Sequence, residues 1–283
     1  RQQASEEVVT TVQDRGLAAY IAELVGTLFL VFGVCTVVIL YVSTGAQGAQ
    51  FGSDFAAIGL VHGFLLFALI AALGGVSGGH FNPAVTLAAT FLRRIDPVDA
   101  VVYILAQLSG GVLGALLAKG LLLDEGRATD YGAVDVSPLL ANDFAGMTVE
   151  AIGTFLLVLA VCAVALNPRV RNEWAPLAIG LTLGFAVIIL GPLTGAALNP
   201  ARWFGPALIG EEWGGVWPYL VGPIVGSFLA ALFYRFVVAT GEEPGGPGEA
   251  AGAVAERRPG GTAEAATQAA ERADERNKKD RKK

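Results

Sequence analysis

Charge is what this chain has least of. Only 16% of its 283 residues are Asp, Glu, Lys or Arg, while 54% are of hydrophobic types; a soluble domain carries roughly a quarter charged residues. That shortage excludes disorder over most of the chain and argues against an ordinary cytosolic globule. The charges are also segregated: from Glu242 to Lys283 nine acids balance nine bases, so the net charge of −6 arises in residues 1–241. With no basic stripe through an acidic body, no nucleic-acid partner is expected. Cysteine is nearly absent, and Cys35 and Cys162 lie inside apolar runs with neither metal-ligand nor thioredoxin spacing. No catalytic constellation is visible, so no enzyme activity, cofactor or metal is expected.

What the chain has instead is long apolar runs. A helix needs about 20 apolar residues to cross a hydrocarbon core roughly 30 Å thick. Six segments suffice: Leu17–Val42, Phe55–Leu73, Val98–Leu122, Gly146–Leu166, Trp174–Leu193 and Gly215–Val238. Helices buried in a large soluble core would need polar outer faces, and these runs have none. Glu23, Lys119 and Glu150 place charge inside them, Lys119 near a helix end. The expected fold class is therefore an all-α membrane protein. Arg15, Arg93, Arg94, Arg169, Arg171 and Arg235 fall on one side of the spans, and most loop acids on the other. By the bias of Lys and Arg toward the inner side, both termini are expected to be cytoplasmic, with the cell membrane, plasma or inner, as the location.

The two halves resemble each other. Glu23-Leu-Val-Gly-Thr returns as Glu150-Ala-Ile-Gly-Thr, and Ala57-Ile-Gly-Leu as Ala178-Ile-Gly-Leu. Gly110-x-x-x-Gly114 in span three is read as the counterpart of Gly222-x-x-x-Gly226 in span six. The repeating unit has an odd number of crossings, so its second copy must insert upside down, and inverted repeats place a shared site near the bilayer midplane.

Each unit also holds an apolar stretch too short to cross, from His80-Phe-Asn-Pro-Ala to Phe91 and from Ala197-Leu-Asn-Pro-Ala to Ile209. Both follow turn chemistry, Ser77-Gly-Gly and Thr194-Gly-Ala, which at membrane depth is tolerated only around a cavity or inside protein. Asn is a good N-cap and Pro an ideal first helical residue. Asn82-Pro83-Ala84 and Asn199-Pro200-Ala201 therefore predict two half-helices meeting N-terminus to N-terminus. Each Asn oxygen would cap its helix, leaving the amide hydrogens for a water in the lumen. Such a water must turn its own hydrogens away along the pore, which interrupts a proton wire. The paired positive helix ends add a barrier to cations. Asn167-Pro168, in a predicted cytoplasmic loop, reads as a plain turn.

With these residues the sequence resembles the aquaporin, or major intrinsic protein, family, over about Leu17 to Val238. The resemblance implies six transmembrane helices plus two re-entrant half-helices, and a homotetramer whose protomers each hold a pore. It also implies an outer filter of four residues, which by position are His62, Val187, Ala196 and Arg202. That set looks like the filter of plant tonoplast intrinsic proteins. Val187 and Ala196 are small, so the opening should exceed a single water, and ammonia, urea, hydrogen peroxide or glycerol are expected beside water. Trp203 departs from the family, which has a small residue there in water channels and Asp in glycerol channels. Leu220 stands where water channels usually have Trp, while Ala207 and Tyr219 fit the water group. Since Ala196 occupies the position three before Asn199, block by mercurials is expected to be weak.

Glu23 and Glu150 are read as supports that accept hydrogen bonds from the re-entrant loops, and His80 as structural. The expected organisation is a cytoplasmic segment over 1–16, a channel domain over 17–238 with repeats at about 17–122 and 146–238, and a disordered cytoplasmic tail over 239–283. The expected function is a passive channel for water and small neutral solutes that excludes protons and ions. The alternatives are a glycerol, urea or ammonia facilitator with water secondary, an ion-coupled transporter, and a purely structural membrane protein.

Overall fold

A computed structural model describes residues 16–42, 54–167, 170 and 172–239. The expected tail at 239–283 lies outside the described residues except for Ala239, as do Pro168 and most of the N-terminal segment.

The described residues form helices α1 (Gly16–Tyr41), α2 (Phe55–Ser77), α3 (Pro83–Phe91), α4 (Pro97–Leu121), α5 (Asp143–Val164), α6 (Ala175–Thr194), α7 (Pro200–Gly210) and α8 (Val216–Phe233), with a π turn over Tyr234–Val238. No strand occurs among them. Six helices are long and apolar enough to cross a membrane; α3 and α7, at 9 and 11 residues, are not. Their starts and stops follow from local chemistry. Asp54, Asp96 and Asn142 cap α2, α4 and α5 by accepting from backbone N–H groups within the first turn. Both α2 and α6 end on a left-handed glycine, Gly78 (φ 92°) and Gly195 (φ 72°), whose N–H closes back on the last turn.

Among the described residues, large apolar side chains face outward, while several polar ones are buried within an otherwise apolar core. Leu105, Phe185 and Ile189 are 59%, 59% and 67% exposed, whereas Glu23, Thr27, Gln107 and Glu150 are fully buried. This arrangement fits lipid as the solvent for the outer faces. Three helix pairs pack most extensively, α1 with α4, α5 with α8, and α2 with α6.

Small residues let these pairs close. A Cβ on Gly110 would lie 2.4 Å from the Leu24 carbonyl oxygen, and one on Gly226 would lie 2.2 Å from that of Ala151. Leu24 and Ala151 each follow a repeat glutamate, so Gly110 corresponds to Gly226. The sequence match of Gly110 with Gly222 is thus corrected by one helical turn. Both glycine pairs have the same spacing, and only the facing helix distinguishes the two registers.

Across the two halves, Gly63 of α2 and Gly180 of α6 meet face to face: a Cβ on either would sit 2.7 Å or 2.5 Å from the other's carbonyl oxygen. Gly180→Ala should therefore force the backbones apart at a cost of about 1–3 kcal/mol, the range for overpacking. Gly75→Ala meets nothing within 4 Å and should be neutral or slightly stabilising. Thermal unfolding of the two purified variants checks this, and equal midpoints would overturn the close-approach account.

Candidate pore

The two short helices meet at their N-termini. Asn82 and Asn199 both have extended backbones (φ −156° each) and cap α3 and α7, followed by Pro at the first helical position. Asn82 Oδ1 accepts from Ala84 N (2.8 Å), and Asn199 Oδ1 accepts from Ala201 N (2.9 Å) and Arg202 N (3.3 Å). The amide nitrogens are shared differently from the expectation. Asn82 Nδ2 donates to the Leu198 carbonyl (2.9 Å), and Asn199 Nδ2 donates to the Phe81 carbonyl (2.9 Å). One hydrogen of each amide thus ties its half-helix to the opposite loop, leaving one rather than two for anything between them. The reason is local: the Phe81 and Leu198 carbonyls are buried just outside a helix and need a donor.

The loops that deliver the asparagines are strained. Phe81 (φ 47°), Ala196 (φ 45°) and Leu198 (φ 51°) are left-handed without being glycine, which costs roughly 1–2 kcal/mol each. Buried carboxylates hold them. Glu23 accepts from Ser77 Oγ (2.6 Å), His80 N (2.9 Å), Phe81 N (2.7 Å) and Gln107 Nε2 (2.8 Å). Glu150 accepts from Thr194 Oγ1 (2.7 Å), Ala197 N (3.0 Å) and Leu198 N (2.7 Å). Tyr103 and Tyr219 repeat the symmetry, donating to the carbonyls of Ser77 (2.8 Å) and Thr194 (2.7 Å). His80 Nδ1 lies 3.1 Å from Thr86 Oγ1, within its own half-helix. Cys35 and Cys162 are both fully buried against neighbouring helices.

His62, Val187, Ala196 and Arg202 come from α2, α6, the second loop and α7, and each is at most 2% exposed. His62 Nδ1 is 2.8 Å from the Ile58 carbonyl. A carbonyl can only accept, so Nδ1 carries hydrogen, and in the neutral ring Nε2 is an acceptor. Arg202 donates one terminal nitrogen to the Gly132 carbonyl (3.0 Å). His62 Nε2 and the Nε and second terminal nitrogen of Arg202 are buried without a protein partner. Among the described residues no carboxylate lies within salt-bridge distance of Arg202. Between them these four residues hold one unpartnered acceptor, on His62, and two unpartnered donor nitrogens, on Arg202.

Two features were not legible in the sequence. Trp203 is buried and stacks on Tyr219 (6.3 Å between ring centres, 19° between planes), with Trp213 edge-on at 5.9 Å. It backs the tyrosine that braces Thr194. The second is a strap, Glu125–Gly132, which opens in 3-10 turns and then runs left-handed through Asp130 (φ 45°), Tyr131 (φ 54°) and Gly132 (φ 87°). Its last carbonyl is the one that holds Arg202. Burial and the nearby Glu212 hold the Asp130 carboxyl above its usual range.

Six spanning helices around two facing half-helices, with a histidine and an arginine that has no ion pair among the described residues buried beside them, define a membrane channel. The Major intrinsic protein family profile matches residues 10–234, and the chain belongs to that family. It is 41% identical over 220 residues to the glycerol uptake facilitator protein-like 6 of Lactiplantibacillus plantarum, covering 76% of this chain and 96% of that one. It is 37% identical over 229 residues to the probable aquaporin TIP2-2 of Oryza sativa subsp. japonica, covering 80% and 89%. Among solved structures, the X-ray structure of the aquaglyceroporin from Plasmodium falciparum aligns with a TM-score of 0.67 at 25% identity, over 79% of this chain and 97% of that one. The protein is an integral, multi-pass membrane channel that passes water and small solutes passively, and it is not an enzyme.

Proposed function

We propose that permeants pass in single file between Asn82 and Asn199 and through a filter of His62, Val187, Ala196 and Arg202, and that protons and ions are excluded. The observation that carries this is the set of buried polar atoms with no protein partner, His62 Nε2 and two nitrogens of Arg202. Buried polar groups are otherwise almost always satisfied, so these are the places where a passing water or amide exchanges its hydrogen bonds. Arg202 repels cations and donates to the permeant, and the paired positive ends of α3 and α7 add to the barrier. The small Val187 and Ala196 leave width for ammonia, urea, hydrogen peroxide or glycerol beside water. The functional unit in this reading is a homotetramer with one pore per protomer, both termini cytoplasmic, in the cell membrane.

Stopped-flow measurements on reconstituted vesicles test this with sorbitol, glycerol and urea gradients. His62→Phe fills the filter and removes its acceptor. It should lower glycerol and urea flux by about tenfold, the equivalent of about 1.4 kcal/mol, while water flux changes far less. Equal loss of water and solutes, or no loss of either, overturns the assignment of His62. Glycerol flux exceeding water flux in the wild type would instead favour a dedicated facilitator.

A further inference from the structure

Arg202 is held by a carbonyl on a strap whose own backbone is strained. Asp130, Tyr131 and Gly132 are consecutive left-handed residues, a run that persists only when its surroundings over-determine it. On two sides the surroundings are backbone. A Cβ on Gly132 would lie 2.8 Å from Cys35 Cα in α1, and one on Gly210, the last residue of α7, would lie 2.3 Å from the Asp130 carbonyl oxygen. Inside the strap, Gly126 fits against the Tyr131 ring, where a Cβ would be 2.4 Å from it.

On the third side, toward the end of α4, Gly126 N donates to the Leu122 carbonyl (2.9 Å), and the rest of the contact is made by side chains. Lys119, in the last turn of α4, places Nζ 4.5 Å from the centre of the Tyr131 ring and donates from Nζ to the Ile209 carbonyl (3.1 Å) near the end of α7. Tyr131 in turn donates its hydroxyl to the Leu123 carbonyl (3.2 Å), just after α4. One half-buried ammonium therefore joins three elements: the spanning helix α4, the strap whose carbonyl holds Arg202, and the half-helix that carries Arg202.

We propose that Lys119, acting through Tyr131 and the Ile209 carbonyl, is a positioning residue that sets the selectivity of the filter by fixing the strap against the half-helix. Its ammonium is engaged by the Tyr131 ring and the Ile209 carbonyl. It decides where the Gly132 carbonyl stands, and so how far the guanidinium of Arg202 extends into the file. A loosened strap lets Arg202 swing, widening the filter for solutes while leaving the single-file water path intact. This inference rests on Arg202 being a filter residue.

The test is the ratio of urea to water permeability in proteoliposomes, which cancels the number of folded channels and is insensitive to a general loss of stability. Lys119→Met keeps the stem and removes the cation and the donor; it should raise the ratio about threefold, the scale of an ordinary cation–π contact. Tyr131→Leu should do the same, and Lys119→Arg, which keeps both interactions, should restore the wild-type ratio. Arg202→Val serves as the reference for a filter without its arginine. If Arg202→Val shifts the ratio and Lys119→Met does not, the positioning role is wrong and the filter stands. If Lys119→Arg behaves like Lys119→Met, the contact geometry is not the cause and the proposal falls. If Arg202→Val leaves the ratio unchanged, the filter assignment itself fails and takes the proposal with it.

Discussion

Glu150→Leu should leave almost no folded channel. The carboxylate accepts from Thr194 Oγ1, Ala197 N and Leu198 N, and leucine accepts nothing. A buried donor left unpaired costs about 1–3 kcal/mol, so three cost roughly 3–9 kcal/mol, against a typical total stability of about 5–15 kcal/mol. The loss is compounded because Ala196 and Leu198 hold left-handed backbones that the carboxylate keeps in place. Glu150→Gln retains one accepting oxygen but turns an N–H toward the loop donors, and should fall between wild type and leucine. Thermal midpoints and the monodisperse fraction after extraction measure the series. A Glu150→Leu protein that unfolds within a few degrees of wild type would show that the loop holds itself.

The corresponding change at Glu23 tests whether the two anchors are equal. Glu23 accepts a further bond from Gln107, which also donates to Thr86 Oγ1 (2.9 Å). The residue four after Tyr219, where Gln107 follows Tyr103, is Pro223, which has no such donor. The first half-helix is thus stitched to its spanning helix by side chains where the second relies more on its aromatic backing of Trp203 on Tyr219.

How much of this was legible in the sequence follows from the solvent. Lipid demands nearly uniform apolar runs, so the spans stand out and their ends lie close to the predicted ones: α1 covers Gly16–Tyr41 against an expected Leu17–Val42. Where the ends differ, a cap explains it. Helix α5 starts at Asp143 rather than Gly146 because Asn142 caps it, and α2 runs past the expected Leu73 to Ser77 because Gly74 and Gly75 remain helical until Gly78 turns left-handed. Asn-Pro-Ala marks both half-helix starts because an N-cap and a first-turn proline are local chemistry. The crossed amide bonds from Asn82 and Asn199 were not readable, since each needs a carbonyl more than a hundred residues away. Nor was the strap: Tyr131 carries no signal for a left-handed backbone, Asp130 only the weak one that any Asp carries, and Lys119 reads only as a charge near a helix end.

Arg202→Val should open the channel to protons. The guanidinium is buried, lacks a carboxylate within salt-bridge distance among the described residues, and lies at the level of His62 in the proposed filter. At an effective dielectric constant of about 20, two unit charges about 4 Å apart repel by about 4 kcal/mol, which corresponds to nearly three decades in rate. The half-helix ends at Asn82 and Asn199 are untouched and keep part of the barrier, so the expected rise in proton leak is about tenfold to a thousandfold. A pH-sensitive dye trapped in the vesicles reads it, with water flux from the same preparation as the control. Valine also strips the donor from the Gly132 carbonyl and frees the strap, so a leak alone does not separate lost charge from lost positioning. Lys119→Met does, because it frees the strap and leaves the cation of Arg202 in the filter. A leak in Arg202→Val that is absent from Lys119→Met assigns proton exclusion to the charge. Leaks of equal size assign it to the strap, and no leak in either places the whole barrier between the two asparagines.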